Sequence, residues 1–379
     1  MNIKIVFMRI LLVGTGAVGS VVSKLLAKEN NISEISCVSN DMKGAKKFIE
    51  KNENITVKYA DASSIRDLKR HARGFDLIIN ASRPKYNENI MKVALKAGAN
   101  YQDTTSYLGG FSKKLKDLKN VEQLKYHKKF EKENLVALIN TGVAPGISNL
   151  LAAEASEGIG DIYEIRIRFL EEQKSERPIF SWSPEGVIDE LSAPPLVYRN
   201  GRFMLAKNFG DEEIYEFPVG RRKVMNIFCD EVATLPLYIK TRNVSGKGGG
   251  SEMDMAKRIY EEKKEIKSSI PDPGKMKNFM KKGIIEHAYF LLSIESIGRE
   301  KRKKLSAIFP DINKINNIFP GANHISYPTG LAIAAFCKSI NKIDKYGVFP
   351  PEALNRKTRK SILATIRKMD NSIVIKSSF

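Results

Sequence analysis

A chain of 379 residues exceeds the roughly 250–300 at which single hydrophobic cores stop growing, so two domains with separate cores are expected. No apolar run reaches the ~18–20 residues that cross a bilayer, and Met1–Phe7 is too short and wrongly flanked for a secretory signal, so a chain that is 42% hydrophobic reads as soluble, cytoplasmic and without a membrane partner. The net charge of +20, from 63 Lys+Arg against 43 Asp+Glu, is scattered in lysine runs such as 113–114, 128–129, 263–264 and 301–304 without interleaved aromatics, which reads as solvated helix faces rather than specific nucleic-acid binding.

The first element carries the first functional signal. Ile10–Val13 is an apolar run of a buried strand, and it opens directly into Gly14, Gly16 and Gly19 at the spacing GxGxxG, followed by the amphipathic helix Val18–Ala27. Gly14 allows the tight turn, Gly16 admits a pyrophosphate, and Gly19 lets the helix pack on the strand. The free N–H groups from Ala17 to Ser20 then face the phosphates with the positive end of the helix dipole behind them. This places a dinucleotide on Gly14, Gly16, Ala17, Val18 and Gly19. Met8 also fits as the start of the chain, because the strand needs nothing before it.

Ile32–Val38 reads as a second strand, whose end is where the adenosine ribose is read. An acidic residue there accepts from the 2′-hydroxyl, whereas a small or basic set accommodates a 2′-phosphate. Ser39 and Asn40, with Lys43, Lys46 and Lys47 nearby, favour NADP. Asp41 keeps NAD open: a slightly longer strand brings its carboxylate to the ribose, or it caps the helix that follows.

The alternation then continues. A third strand, Thr56–Ser64, has Asp61 and Ala62 toward its end, and a helix spans Ile65–Arg73; the buried strand Phe75–Ala81 leads to Ser82 and a helix over Asn87–Ala97. Asn100–Asp103 is the next strand, followed by a lysine-rich helix from Lys113 to Asn134, strand Leu135–Asn140, the turn Gly142-Val-Ala-Pro-Gly146 and helix Ile147–Glu157. Strands and helices at this spacing predict a doubly wound parallel sheet of the Rossmann type, with ligand at the carboxyl ends of the strands. Ser39, Asp61, Ala62, Ala81, Ser82, Asp103, Thr104, Ala144, Pro145 and Gly146 converge there as cofactor-binding candidates. Asp103 and Tyr107 are the candidates for proton handling, although Asp103-Thr-Thr-Ser106 also reads as an N-cap cluster.

From Ile162 the pattern changes. Tyr163–Phe169 alternates with period two, and Asn200-Gly201 between apolar runs marks a hairpin, so a second, mixed-sheet α/β domain follows. Trp182 either walls a substrate pocket or packs the interdomain core, and Arg199 or a nearby lysine is a candidate for holding a substrate carboxylate. Ser245-Gly-Lys-Gly-Gly-Gly-Ser251 has the wrong order for a phosphate loop and reads as a mobile loop. Lys257–Lys282 is helical and basic with a break at Pro271–Gly274, and His287–Ile297 is strand or helix. Helix Leu331–Ile340 is too apolar to stand in water and is expected to cover the first sheet; Arg356–Met369 is the last helix. The domains are therefore 1–146, completed by helices within 325–379, and 147–324. No His or Cys pair has metal-ligand spacing, so no metal is expected; Cys37, Cys229 and Cys337 read as reduced, buried thiols.

Leu12–Gly19, Thr141-Gly-Val-Ala-Pro-Gly-Ile-Ser-Asn149, Trp182-Ser-Pro-Glu-Gly186, Arg199-Asn-Gly201 and Gly347-Val-Phe-Pro-Pro-Glu352, in this order, resemble the saccharopine dehydrogenase-like family, above all its lysine 6-dehydrogenase and saccharopine reductase branch. The resemblance implies a Rossmann domain completed by C-terminal helices, a second α/β domain that binds substrate and often dimerises, and reversible hydride transfer between NAD(P) and a carbon bearing an amino-acid nitrogen. It places Ala144, Pro145 and Gly146 beside the nicotinamide, and Asp103, Ser106 and Tyr107 in the site. Thr241–Gly250 replaces the Trp-Pro-Gly-His segment of lysine dehydrogenases, which leaves other amines, imines or amino acids as substrates. The expected function is thus an NAD(P)-dependent oxidoreductase acting on a small amino-acid-like molecule; the alternative is a catalytically silent NADP-binding sensor, motivated by the glycine-rich replacement.

Overall fold

A computed structural model describes residues 7–108, 114–176, 179, 181, 187, 193–262 and 271–378. The first half alternates as the sequence predicts: β1 (Met8–Val13), α1 (Ala17–Leu26), β2 (Ile32–Ser39), α2 (Met42–Phe48), β3 (Ile55–Tyr59), α3 (Ile65–Ala72), β4 (Leu77–Asn80), α4 (Asn87–Ala97) and β5 (Asn100–Asp103). Short helices α5 (Leu115–Leu118) and α6 (His127–Lys132) lead to β6 (Val136–Leu138) and α7 (Ile147–Ser156). The central strands β1 and β4 are apolar on both faces because helices cover both sides of the sheet, and Ile10, Leu11, Leu12, Leu77, Ile78 and Ile79 are fully buried.

The single helix expected from Lys113 to Asn134 is instead broken into α5, a 3-10 turn at Glu122–Tyr126 and α6. Leu115, Leu118, Val121 and Leu124 do turn inward at helical spacing, but long-range partners override the period: buried Gln123 reaches Asp103 at 3.2 Å, and His127 turns in to Val348.

The second domain is built on β7 (Ile162–Ser175), with hairpin β8 (Leu196–Arg199) and β9 (Arg202–Leu205), then β10 (Glu213–Phe217), β11 (Gly220–Asn226), α8 (Glu231–Tyr238), β12 (Thr241–Gly249), α9 (Ser251–Glu262), α10 (Pro273–Lys281), β13 (Ile285–Gly298), β14 (Arg302–Ile308) and α11 (Ile312–Ile318). The Asn200-Gly201 hairpin forms as read, both residues having positive φ. β7 pairs in parallel with β12 and antiparallel with β13, so the sheet is mixed, and His287–Ile297 resolves as strand. Ser245–Gly249 is no loop but the buried end of β12. A Cβ at Gly246 would lie 2.5 Å from the Cys229 Cβ, and one at Gly249 would lie 2.2 Å from the Lys223 carbonyl, so the glycines permit close packing of the sheet rather than mobility.

The chain then returns to the first domain through α12 (Ser326–Cys337), buried along its whole length and packed on α1. A last parallel strand, β15 (Gly347–Phe349), adds to β6, and α13 (Arg356–Met369) packs on α12. The seven-stranded parallel sheet has the order β15-β6-β5-β4-β1-β2-β3. Segment 325–379 does not belong wholly to this domain, however: β16 (Val374–Ser378) pairs with β14 and extends the second sheet. Its backbone finds an open edge there, whereas the parallel sheet already ends in β15. No described helix is long and apolar enough to cross a membrane, and Cys37, Cys229 and Cys337 are buried and unbridged.

Candidate functional site

Register brings the site together. Val13 pairs with Val38 and Asn80, and Asn80 with Asp103, so the carboxyl ends of β1, β2, β4 and β5 form one edge. Gly14, Ser39, Ala81 and Thr104 follow directly from these ends, as the topology predicted. At Gly14 φ is +102°, and a Cβ would lie 2.7 Å from the Ala81 carbonyl; at Gly19 a Cβ would lie 2.1 Å from the Gly14 carbonyl oxygen. Only glycine fits at either position. Gly16 differs, since nothing lies within 4 Å of where its Cβ would point. That open space sits at the N-terminus of α1, which no side chain caps and where no acidic residue occupies the first turn. A dinucleotide's pyrophosphate fits this turn: Gly16 leaves room, and the helix start at Ala17 and Val18 supplies N–H groups and a positive dipole.

At the end of β2, Ser39 Oγ accepts from the Asp41 N–H at 3.1 Å, and Asp41 Oδ1 accepts from the Gly44 N–H at 2.8 Å as the cap of α2. Asp41 is thereby engaged on its own helix, while Asn40 and Lys43 are exposed. Asp61 lies two residues beyond β3, where its carboxylate accepts from the Ser63 N–H; that bond holds its pKa below the ordinary value. Ala62 follows it, half-buried. Ser82 is held by Asn80 Oδ1, and Thr104 Oγ1 donates to the Asn80 carbonyl, so the β4 and β5 ends are tied together.

Asp103 is fully buried. Its Oδ1 accepts from the Asn140 N–H at 2.8 Å and its Oδ2 from Gln123 at 3.2 Å, so it holds the β5 and β6 ends in register rather than facing the crevice. Burial pushes its pKa up to about 7. An acid held near 7 when folded, against about 4 unfolded, binds its proton more tightly in the native state. Its contribution is therefore largest below about pH 4 and is lost as pH rises through about 7, a change on the order of 4 kcal/mol. The melting temperature should fall between about pH 5 and about pH 8. Asp103→Asn should flatten part of that fall, because an amide has no proton to lose over this range. A melting temperature that rises over this range would contradict the assignment.

The turn after β6 completes the edge. The Ala144–Pro145 peptide is cis, and Gly146 has φ +135° with a Cβ position only 1.9 Å from the Gly142 carbonyl oxygen. Asn149 Oδ1 accepts from the Gly146 N–H at 2.9 Å, closing the turn onto α7.

Sequence reading missed what lies behind this turn. Ser148 Oγ donates to Glu231 Oε1 at 2.5 Å, Asn149 Nδ2 to Glu352 Oε2 at 3.0 Å, and the Thr105 hydroxyl to Asp230 Oδ2. Asp230, Glu231 and Glu352 are all more than nine-tenths buried, and with Asp103 they make four buried acids, none in a salt bridge among the described residues. Burial pushes Asp230 and Glu352 up to about 7 and raises Glu231. In sequence the Asp-Glu pair at 230–231 reads as an ordinary N-cap and first-turn acid of an apolar helix, so nothing local announces its burial. A separate buried polar group lies within the second domain, with His324 Nε2 2.6 Å from Glu252 Oε1, which also accepts from Gln173 at 3.1 Å.

Of the remaining candidates, Tyr107 is half-buried beyond the β5 end. Arg199 is not brought to this edge: it lies on the β8–β9 hairpin, half-exposed, paired with Asp211 at 3.3 Å, in a cleft with Val197, Leu205 and Lys207. Trp182 lies outside the described residues.

Fold and edge together define a dinucleotide-binding Rossmann protein with a mixed-sheet second domain. Residues 10–138 match the model of the saccharopine dehydrogenase NADP binding domain, and the fold as a whole is that of saccharopine dehydrogenase. It is 26% identical over 255 residues to the carboxynorspermidine synthase of Vibrio alginolyticus, covering 62% of this chain and 61% of that one. It is 29% identical over 154 residues to the carboxyaminopropylagmatine dehydrogenase of Synechocystis sp., covering 39% and 37%. The fold is shared with saccharopine dehydrogenase (L-Glu forming) from Saccharomyces cerevisiae, with a TM-score of 0.70 at 12% identity over 98% of this chain and 100% of that one. It is shared equally with the homospermidine synthase of Legionella pneumophila in complex with NAD, with a TM-score of 0.72 at 13% identity over 98% and 91%. The chain thus matches about three fifths of the length of the first of these relatives.

Proposed function

We propose that this protein is an NAD(P)-dependent reductase or dehydrogenase that acts at a C–N bond of a cationic amine bearing a carboxylate, with NADP preferred. The observation that carries the reading is the set of four buried acids without a basic partner among the described residues, behind the turns that end the dinucleotide crevice. An amine or iminium supplies the missing countercharge. The relatives' names, a carboxylated polyamine among them, favour this class over lysine. A bound nicotinamide supplies or accepts the hydride; the chain's residues hold the dinucleotide at Gly14–Gly19, shape the turn at Ala144–Gly146 and keep water from the acids. The silent-sensor alternative loses its motive, because the glycine-rich segment is an intact sheet strand.

Oxidation of NADPH by the purified protein tests the reading, with diamines paired with carboxylate-bearing aldehydes. Oxidation is expected only when both partners are present, and its absence across the panel would reject the reading. The NADP preference rests on Asp41 being taken up as a helix cap, which leaves Ser39, Asn40 and exposed Lys43 at the ribose. Ser39→Asp should weaken NADPH binding by roughly tenfold, ~1.4 kcal/mol, and leave NADH binding unchanged or tighter; an equal loss for both would contradict it.

A further inference from the structure

We propose that Asp230 is the acid that meets the substrate nitrogen, holding the ammonium and taking its proton before the hydride leaves. This rests on the C–N reading above. The four acids differ in what they leave free. Both Asp103 oxygens are engaged, and so are both of Glu231, with Ser148 and with the Cys229 thiol at 3.0 Å. Of the eight oxygens of these four acids, only Asp230 Oδ1 and Glu352 Oε1 are buried with no hydrogen-bond partner among the described residues. Glu352 is tied to Asn149, behind the Gly146 turn. Asp230, in contrast, is tied through Oδ2 to Thr105, next to Thr104 at the β5 end, so the second domain delivers this carboxylate to the edge where the dinucleotide lies.

Asp230 is 8% exposed, and a buried carboxylate oxygen with no donor is a costly feature that a cationic N–H resolves. The Ser106 amide adds a weaker attraction. The charges that bear on Asp230 are Glu231 on its own element and Asp103 on β5, both acidic, and burial already brings its proton affinity near neutrality. In the oxidative direction the ammonium gives one proton to the Asp230 carboxylate. The adjacent carbon then gives its hydrogen with the bonding pair to the oxidised nicotinamide, and the nitrogen lone pair forms the C=N bond of an iminium. In the reductive direction the same proton returns to the product amine.

The test compares wild type, Asp230→Asn and Asp230→Glu as full chains. Propane-1,3-diamine is titrated calorimetrically into each protein loaded with NADP+, in two buffers of different ionisation heat, and NADPH affinity is measured in parallel. Asp230→Asn is expected to keep NADPH affinity within about twofold, to bind the diamine at least tenfold more weakly and to lose the buffer-dependent heat, which reports the proton that Asp230 itself releases to buffer when the cation binds. Asp230→Glu is expected to keep NADPH affinity and move the pH at which proton transfer appears. Equal diamine binding and equal proton release in wild type and Asp230→Asn overturn the proposal, as does a wild type that binds no diamine or an unmoved pH in Asp230→Glu. If wild type binds the diamine through Asp230 but oxidises no NADPH with any amine and aldehyde, the C–N reading falls and the Asp230 site stands. If Asp230→Asn turns over like wild type with an unchanged pH profile, Asp230 falls and the reading stands.

Discussion

Gly16→Asp should weaken NADPH binding at least a hundredfold while leaving the protein folded. The two halves of this result come from one observation. Gly16 has φ −78° and ψ −157°, a conformation open to any residue, and its Cβ direction is empty, so a side chain costs the fold nothing. Aspartate even caps helices well. The empty space is, however, where the diphosphate belongs, and two like charges about 4 Å apart at an effective dielectric near 20 repel by about 4 kcal/mol. Gly19→Ala makes the contrast, since its Cβ would meet the Gly14 carbonyl and the turn itself would have to move. Binding measured by calorimetry beside thermal melting separates the two. Loss of folding in Gly16→Asp, or retained NADPH affinity, would contradict the placement of the cofactor.

The second large effect is expected at Gly146. Gly146→Ala should lower stability by about 3 kcal/mol or more and remove turnover. With φ +135° and ψ −85°, this backbone conformation suits glycine alone. A methyl group would also press on the Gly142 carbonyl and break the Gly142–Gly146 bridge that closes the turn. Asn149 and, through it, Glu352 hang on this turn, so the acid cluster would loosen with it. A melting temperature within about 2 °C of wild type would show that the turn is not strained as described.

Much of this was legible in the sequence because periodicity and glycine spacing are local. The β1 turn, the strand ends at Ser39, Ala81 and Thr104, the buried character of α12 and the hairpin at Asn200-Gly201 all follow from neighbouring residues. What was not legible depends on distant partners. The lysine-rich stretch looked like one helix until Gln123 and His127 were drawn inward by Asp103 and Val348. Ser245–Gly249 looked like a loop because nothing nearby announces that Cys229 and Lys223 press against it. Asp103 ends β5, but its two hydrogen bonds hold it between the β5 and β6 ends, and the acids at 230, 231 and 352 meet only after the second domain folds back. Arg199 was chosen for its motif, and a motif does not say which way a hairpin faces.

Transfer of label tests the central claim most directly. The purified protein is given NADPH carrying deuterium at the transferred position, a diamine and a carboxylate-bearing aldehyde, and the products are weighed by mass spectrometry. A secondary amine one mass unit heavier, formed together with NADP+, is the predicted result; an unlabelled product, or cofactor that stays reduced with every amine and aldehyde supplied, would contradict hydride delivery to a C–N bond at this crevice.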